Sequence, residues 1–193
     1  MLDWRVLPRE FYVRDPKDAA LNLLGKIVVR RLSDQILEGI IVETEAYYGL
    51  NDPASRARDG LKNYNAPMWG KPGLAFIYNV HNNWMFNVVA HKPNHVGAVL
   101  IRAIEPLKGI EIMKANRGIS DINKLTNGPG KLTKALKIDK GLNLTDLTNI
   151  ESPIFIADGL IVHKIGRSYR IGVKKDLDEK LRFYIEDNPF VSR

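Results

Sequence analysis

Glu43 and Glu45 stand two residues apart in Ile40-Ile41-Val42-Glu43-Thr44-Glu45-Ala46-Tyr47-Tyr48-Gly49, a segment otherwise built for burial. In an extended chain side chains alternate between faces, so Ile41, Glu43, Glu45 and Tyr47 are expected on one face and Ile40, Val42, Thr44 and Ala46 on the other. Two acids and an aromatic ring would then line one surface. Ionised carboxylates beside apolar neighbours are costly unless cations or hydrogen bonds compensate, and this is how catalytic acids acquire shifted pKa values. The pattern leaves a second reading open, an edge strand with two solvated glutamates.

Other chemistry is narrowed by composition. The 193 residues contain no cysteine, which excludes disulfides, cysteine-ligated zinc, iron–sulfur clusters and the zinc deaminases that need paired cysteines. His91 and His95 have helical zinc spacing, but Pro93 lies between them and no glutamate follows His91, so no metal site is expected. Asn127-Gly128-Pro129-Gly130-Lys131 could bring amides and a lysine to a phosphate, or be a plain turn; its spacing is not that of a nucleotide-binding loop. A net charge of +7, spread along the chain, suits a polyanionic partner. Phe76 and Tyr78 share a face of Ala75–Val80, next to the polar turn His81-Asn82-Asn83. With Tyr47 and the acids they describe an aromatic-walled pocket holding a carboxylate amid cations, as an enzyme acting on a flipped-out base requires.

The elements that must position these groups can be read from punctuation and period. Asp15 and Pro16 open a helix over residues 16–24, closed by Gly25. Residues 26–32 and 37–47 read as a hairpin turning at Ser33 to Gln35, and strands follow over 75–80, 85–90 and 96–103. Residues 50–73 form a long loop, held in order by Tyr64, Met68 and Trp69. Helices are expected over 106–117 and 130–136, a hairpin of 154–157 with 161–163 around Asp158-Gly159, and a last strand over 181–185. No repeat or composition break marks a second domain, so residues 1–193 are read as one domain. The absence of a long apolar run or a leader-like start predicts a cytoplasmic, nucleoid-associated protein with no membrane partner.

Nearly the whole chain resembles the alkyladenine (3-methyladenine) DNA glycosylase family. The likeness rests on Ala20-Leu21-Asn22-Leu23-Leu24-Gly25-Lys26, Ile41 to Gly49, Gly70 to Tyr78, Asn87-Val88, Leu100 to Pro106, Asn127 to Leu132, Arg170-Ile171-Gly172 and Leu181 to Tyr184. It implies a mixed α/β (α+β) fold: one domain with a curved, mainly antiparallel sheet and peripheral helices, like the C-terminal domain of methionyl-tRNA formyltransferases. It also implies a monofunctional enzyme that excises damaged purines (hypoxanthine, alkylated or etheno adenine) from double-stranded DNA as a monomer, without metal or other cofactor. Glu45 would activate the water and Arg102 would hold both in place. Tyr47 and Tyr78 would sandwich the base, and Asn87 would collide with the 2-amino group of guanine. His81, with Asn82, matches the side chain pushed into the gap left by the flipped nucleotide, while Lys71 and Lys131 would meet the backbone. Two departures stand out: the turn at His81 is one residue shorter than usual, and Arg56 replaces the family's usual histidine. A guanidinium there should disfavour a cationic base, so neutral lesions, hypoxanthine above all, are expected to be preferred.

Two rival readings remain. The related fold could serve as a non-catalytic nucleic-acid-binding module. A bifunctional enzyme would instead form a Schiff base, but no lysine lies on the Glu45 or Tyr78 strand.

Overall fold

The protein is described by a computed structural model covering residues 4–192. Asp15 caps α1 (Pro16–Leu23), its carboxylate accepting from the Lys17 backbone N–H at 2.9 Å, while Pro16 sits where no intrahelical N–H is needed. Ala19, Ala20 and Leu23 turn inward. Gly25 then adopts a φ of +82°, and a Cβ on it would stand 2.4 Å from the Leu160 carbonyl oxygen, so conformation and space both demand glycine.

β1 (Ile27–Leu32) runs through Ser33 and Asp34 into β2 (Gln35–Tyr47), the long central strand. β3 (Ala75–Val80) and β4 (Asn83–Val89) form a hairpin, and β5 (Ala98–Lys108) lies between β4 and β2. β6 (Ile154–Ala157) pairs with β1. β8 (Arg182–Ile185) adds to the second half of β2, and β7 (Ile165–Ser168) pairs with β8. All pairings are antiparallel, in the order β3-β4-β5-β2-β1-β6, and the sheet curls into a half-barrel. Packed with α1, α2 (Ile110–Arg117) and α3 (Pro129–Ala135), it buries a main core that includes Ile41, Phe86, Ile101, Ile104 and Phe183. The expected α+β class holds.

Three local expectations do not. The helix expected from residue 106 begins at Ile110, because Pro106 to Lys108 continue β5 alongside Gly39 and Glu38, and Gly109 at φ +75° breaks the strand. The hairpin around Asp158-Gly159 is absent: residues 161–163 form no strand, and the Asp158 carboxylate takes the Lys26 ammonium at 2.6 Å instead. Simple alternation along β2 also fails. The pairing with β5 is irregular on both sides of Glu43, and Val42 with Glu43, like Arg102 with Ala103, is buried away from the main core there. Val42 and Ala103 pack with Phe190 away from the main core, whereas Ile41, Ala46, Ile101 and Ile104 belong to it and the Thr44 hydroxyl donates to the Ala20 carbonyl of α1. Ile41 is thus separated from the glutamates, and the double irregularity re-aims Glu43, Glu45 and Arg102, a use such bulges often serve beside active sites.

Candidate active site

Both glutamates are fully buried, which overturns the solvated-strand reading, yet they live in different surroundings. Glu43 Oε1 accepts from Arg102 Nε at 2.8 Å, Arg182 Nε at 2.7 Å and the Ser192 hydroxyl at 2.8 Å, while Oε2 accepts from the Ser192 backbone N–H at 2.7 Å. Burial alone would raise its pKa; the two guanidiniums and the Ser192 N–H overcome that and hold it below the ordinary carboxylate value. Glu45 accepts from the Ile171 backbone N–H and the Tyr47 hydroxyl, both at 2.7 Å, and lies 3.2 Å from Arg102 Nη1. Here burial prevails over Arg102 and both hydrogen bonds, the charge of Glu43 adds to it, and the pKa is raised. Two carboxylates on one strand are therefore pushed in opposite directions, a pattern that marks a division of acid–base labour. Arg102, buried on β5, is held cationic by the two acids against the opposing effect of burial.

Tyr47 leads from Glu45 into a small cavity of about 10 Å³, room for about one water, lined also by Arg56, Met68, Phe76, Tyr78, Asn87 and Ala98. The Phe76 and Tyr78 rings lie 4.9 Å apart at 40°. The Arg56 guanidinium stacks on Tyr78 at 4.7 Å and has no acidic partner among the described residues. Asn87 is 2 % exposed and its amide donates to the carbonyls of Phe76 at 3.0 Å and Met85 at 3.2 Å, so it cannot easily turn away.

The cavity shares Tyr47, Arg56 and Tyr78 with a groove of about 710 Å³ that is lined also by Arg102 and the exposed His81, with Arg56, Arg58, Lys174 and Lys175 supplying positive charge. A groove with one sign of charge concentrates a polyanion. His81 and Asn82 are exposed in the two-residue turn between β3 and β4, at φ +47° and +60°, where glycine or asparagine is usual. The turn rests on α3: a Cβ on Gly130 would come within 2.7 Å of the Asn83 amide. Asn82, Lys71 and Lys131 are not among the groove-lining residues, and the Lys131 ammonium is drawn to the Asn127 side chain at 2.9 Å. His91 and His95 have ring nitrogens against backbone carbonyls.

Sequence reasoning missed the supports of the site. Arg170 donates to both oxygens of Asp52 at 2.7 Å, to Asp176 and to the Ala46 carbonyl, and stacks over the Tyr47 ring at 4.6 Å. It ties the end of β2 to the loop whose Ile171 N–H meets Glu45. Asn65, fully buried, donates to the Arg56 carbonyl at 2.7 Å and so fixes the backbone that presents Arg56. A fully buried asparagine inside a polar loop cannot be told from an exposed one by composition. Arg182 and Ser192 lie more than 130 positions from the strand they complete.

Residues 10–189 match the family described as methylpurine-DNA glycosylase. The chain belongs to that family. Among similar proteins named "Putative 3-methyladenine DNA glycosylase", one from Aeropyrum pernix is 38 % identical over 192 residues, covering 98 % of this chain and 94 % of its own. Those from Chlorobium phaeobacteroides and Clostridium tetani are 42 % and 43 % identical, each covering 97 % of this chain and 97 % or 98 % of its own. As a methylpurine-DNA glycosylase family member the chain is a DNA glycosylase, a hydrolase acting on the N-glycosidic bond, and this removes the reading as a mere binding module. Among the described residues no helix is long and apolar enough to cross a membrane.

Proposed function

We propose that the chain excises damaged purines from duplex DNA by base flipping, with Glu45 as the general base. As the bond between the base and C1′ breaks, its electrons leave with the base and the sugar gains oxocarbenium character. Glu45 takes a proton from the attacking water, whose oxygen bonds to C1′, and its charge offsets the charge on the sugar. Arg102 holds Glu45 and the water. The observation that carries this reading is a buried carboxylate with a raised pKa, bonded to the hydroxyl of a ring that lines both the small cavity and the cationic groove. Tyr47 and Tyr78 supply the walls for the base, the held amide of Asn87 stands against the 2-amino group of guanine, and His81, exposed and lining the groove, enters the vacated stack, next to Asn82. Backbone phosphates are met by Arg58, Lys174 and Lys175, with Lys71 and Lys131 further out.

The unpaired Arg56 cation on Tyr78 supports a preference for neutral lesions, hypoxanthine above all, over cationic 3-methyladenine. Duplexes each carrying one lesion, incubated with enzyme and then treated with alkali, test both points. Wild type releases hypoxanthine faster than 3-methyladenine under single-turnover conditions. Glu45→Gln binds the duplex and releases neither. Retained excision by Glu45→Gln, or a clear preference for 3-methyladenine, overturns the corresponding part.

A further inference from the structure

The ion cluster is also met by residues 188–192, none of which lines the cavity or the groove. Ser192, 7 % exposed, makes four contacts there. Its N–H and hydroxyl donate to the two oxygens of Glu43 at 2.7 and 2.8 Å, its hydroxyl oxygen accepts from Arg102 Nη2 at 3.3 Å, and its carbonyl accepts from Arg182 Nη2 at 3.0 Å. The segment is anchored independently. Phe190 packs on Val42 and Ala103, and the Asn188 amide donates to Glu105 at 2.7 Å while its oxygen accepts the Phe190 N–H at 2.9 Å.

We infer that Ser192 is a positioning residue for the reaction: the tail holds Arg102 and Glu43 in the arrangement that lets Arg102 reach Glu45. This rests on the reading of Glu45 as the water activator. The guanidinium is planar and rigid, so its contacts fix one another. Arg102 uses Nε on Glu43, Nη2 on Ser192 and Nη1 on Glu45. Two contacts made with the tail cluster therefore aim the third. Without the Ser192 hydroxyl, Glu43 keeps Arg102, Arg182 and the Ser192 N–H and remains ionised at neutral pH. It then draws Arg102 toward itself, and Glu45 loses cationic support. The groups that bear on Glu45 are Arg102 from β5, Tyr47 and Glu43 from its own strand, Tyr78 from β3, and the Ile171 N–H beside Arg170; of these Arg102 and Glu43 touch the tail, and Arg102 is the one that also touches Glu45.

The test is single-turnover excision by Ser192→Ala in the full chain, followed across pH, with Ser192→Thr, Arg182→Lys and Glu45→Gln in parallel. Ser192→Ala keeps the backbone donor to Glu43. Misplacement of a catalytic group by about 1 Å costs up to about 100-fold in rate, and a loss of about 10- to 100-fold at neutral pH is expected. DNA affinity should stay unchanged, the acid limb of the rate profile should move to higher pH, and Ser192→Thr should restore both. Should Ser192→Ala not fold, Arg182→Lys, which weakens the same cluster from β8, is expected to show the same loss and shift. A profile superimposable on wild type, or a loss equal at every pH that merely follows a lower melting temperature, overturns the inference. If Glu45→Gln is inactive in that case, the reading of Glu45 survives; excision retained by Glu45→Gln overturns both.

Discussion

Glu43 and Glu45 share a strand, a sheet face and a guanidinium, yet the fold treats them in opposite ways. Glu43 receives hydrogen bonds from two arginines and both donors of Ser192, more than enough to offset the cost of burying its charge. Glu45 has one backbone N–H, one hydroxyl and the far end of Arg102, and its charged form stays costly. The first acid holds the structure; the second, in the proposed function, is held ready for chemistry. A carboxylate supplied with every donor it can accept makes a poor base, because its proton affinity has been spent on the fold. The difference lies in which donors each carboxylate meets, and the paired irregularity of β2 and β5 decides that.

Breaking the shared element should have the largest effect. Arg102→Ala takes from two buried carboxylates the cation they share, leaving Glu43 to Arg182 and Ser192 and Glu45 to the Ile171 N–H and the Tyr47 hydroxyl, at a cost of about 3–5 kcal/mol; each kcal/mol lowers the Tm of a chain this size by roughly 2–4 °C. Thermal unfolding and excision should fall together. Glu43→Gln removes the charge that Arg102, Arg182 and Ser192 are arranged to meet, and should destabilise by about 3 kcal/mol, read by urea unfolding. Asp52→Asn weakens the hold on Arg170 by about 1.5–3 kcal/mol and loosens the loop that carries Ile171, so excision should slow more than duplex binding weakens.

The pH dependence of stability separates the pair further. Glu43, whose pKa is lowered on folding, contributes stability above the ordinary carboxylate value, and this is lost as pH falls through that value toward its folded pKa. Glu45, whose pKa is raised, binds its proton more tightly when folded, so it costs stability as pH rises from the ordinary value through its folded pKa. Urea titrations of the two glutamine variants should therefore differ from wild type with opposite slopes. The smallest effect is expected at Arg56. Arg56→Gln changes stability by no more than about 0.5 kcal/mol but should narrow the gap between hypoxanthine and 3-methyladenine excision.

The sequence carries the strands β1 to β6 and β8, because capping residues, turn residues and apolar runs act locally, but it places a strand at 161–163 where there is none and misses β7. The family resemblance, not local spacing, brings Glu45, Tyr47, Tyr78, Asn87 and Arg102 forward as a set. The sequence does not carry the break in alternation at Glu43, since alternation presumes regular pairing and the irregularity arises only when β2 meets β5. Nor could it separate the roles of the two glutamates by chemistry alone. The donors that separate them, Arg182 and Ser192 for one and Ile171 for the other, arrive from more than a hundred residues away. Arg170 is similar: four partners around one guanidinium leave no local spacing to read.

The most direct test of this division is the melting temperature of Glu45→Gln at neutral pH, compared with Glu43→Gln. A residue held charged against the interests of the fold should melt at or above the wild-type temperature once neutralised, while Glu43→Gln melts well below it. A fall in Glu45→Gln as large as that of Glu43→Gln would contradict the account.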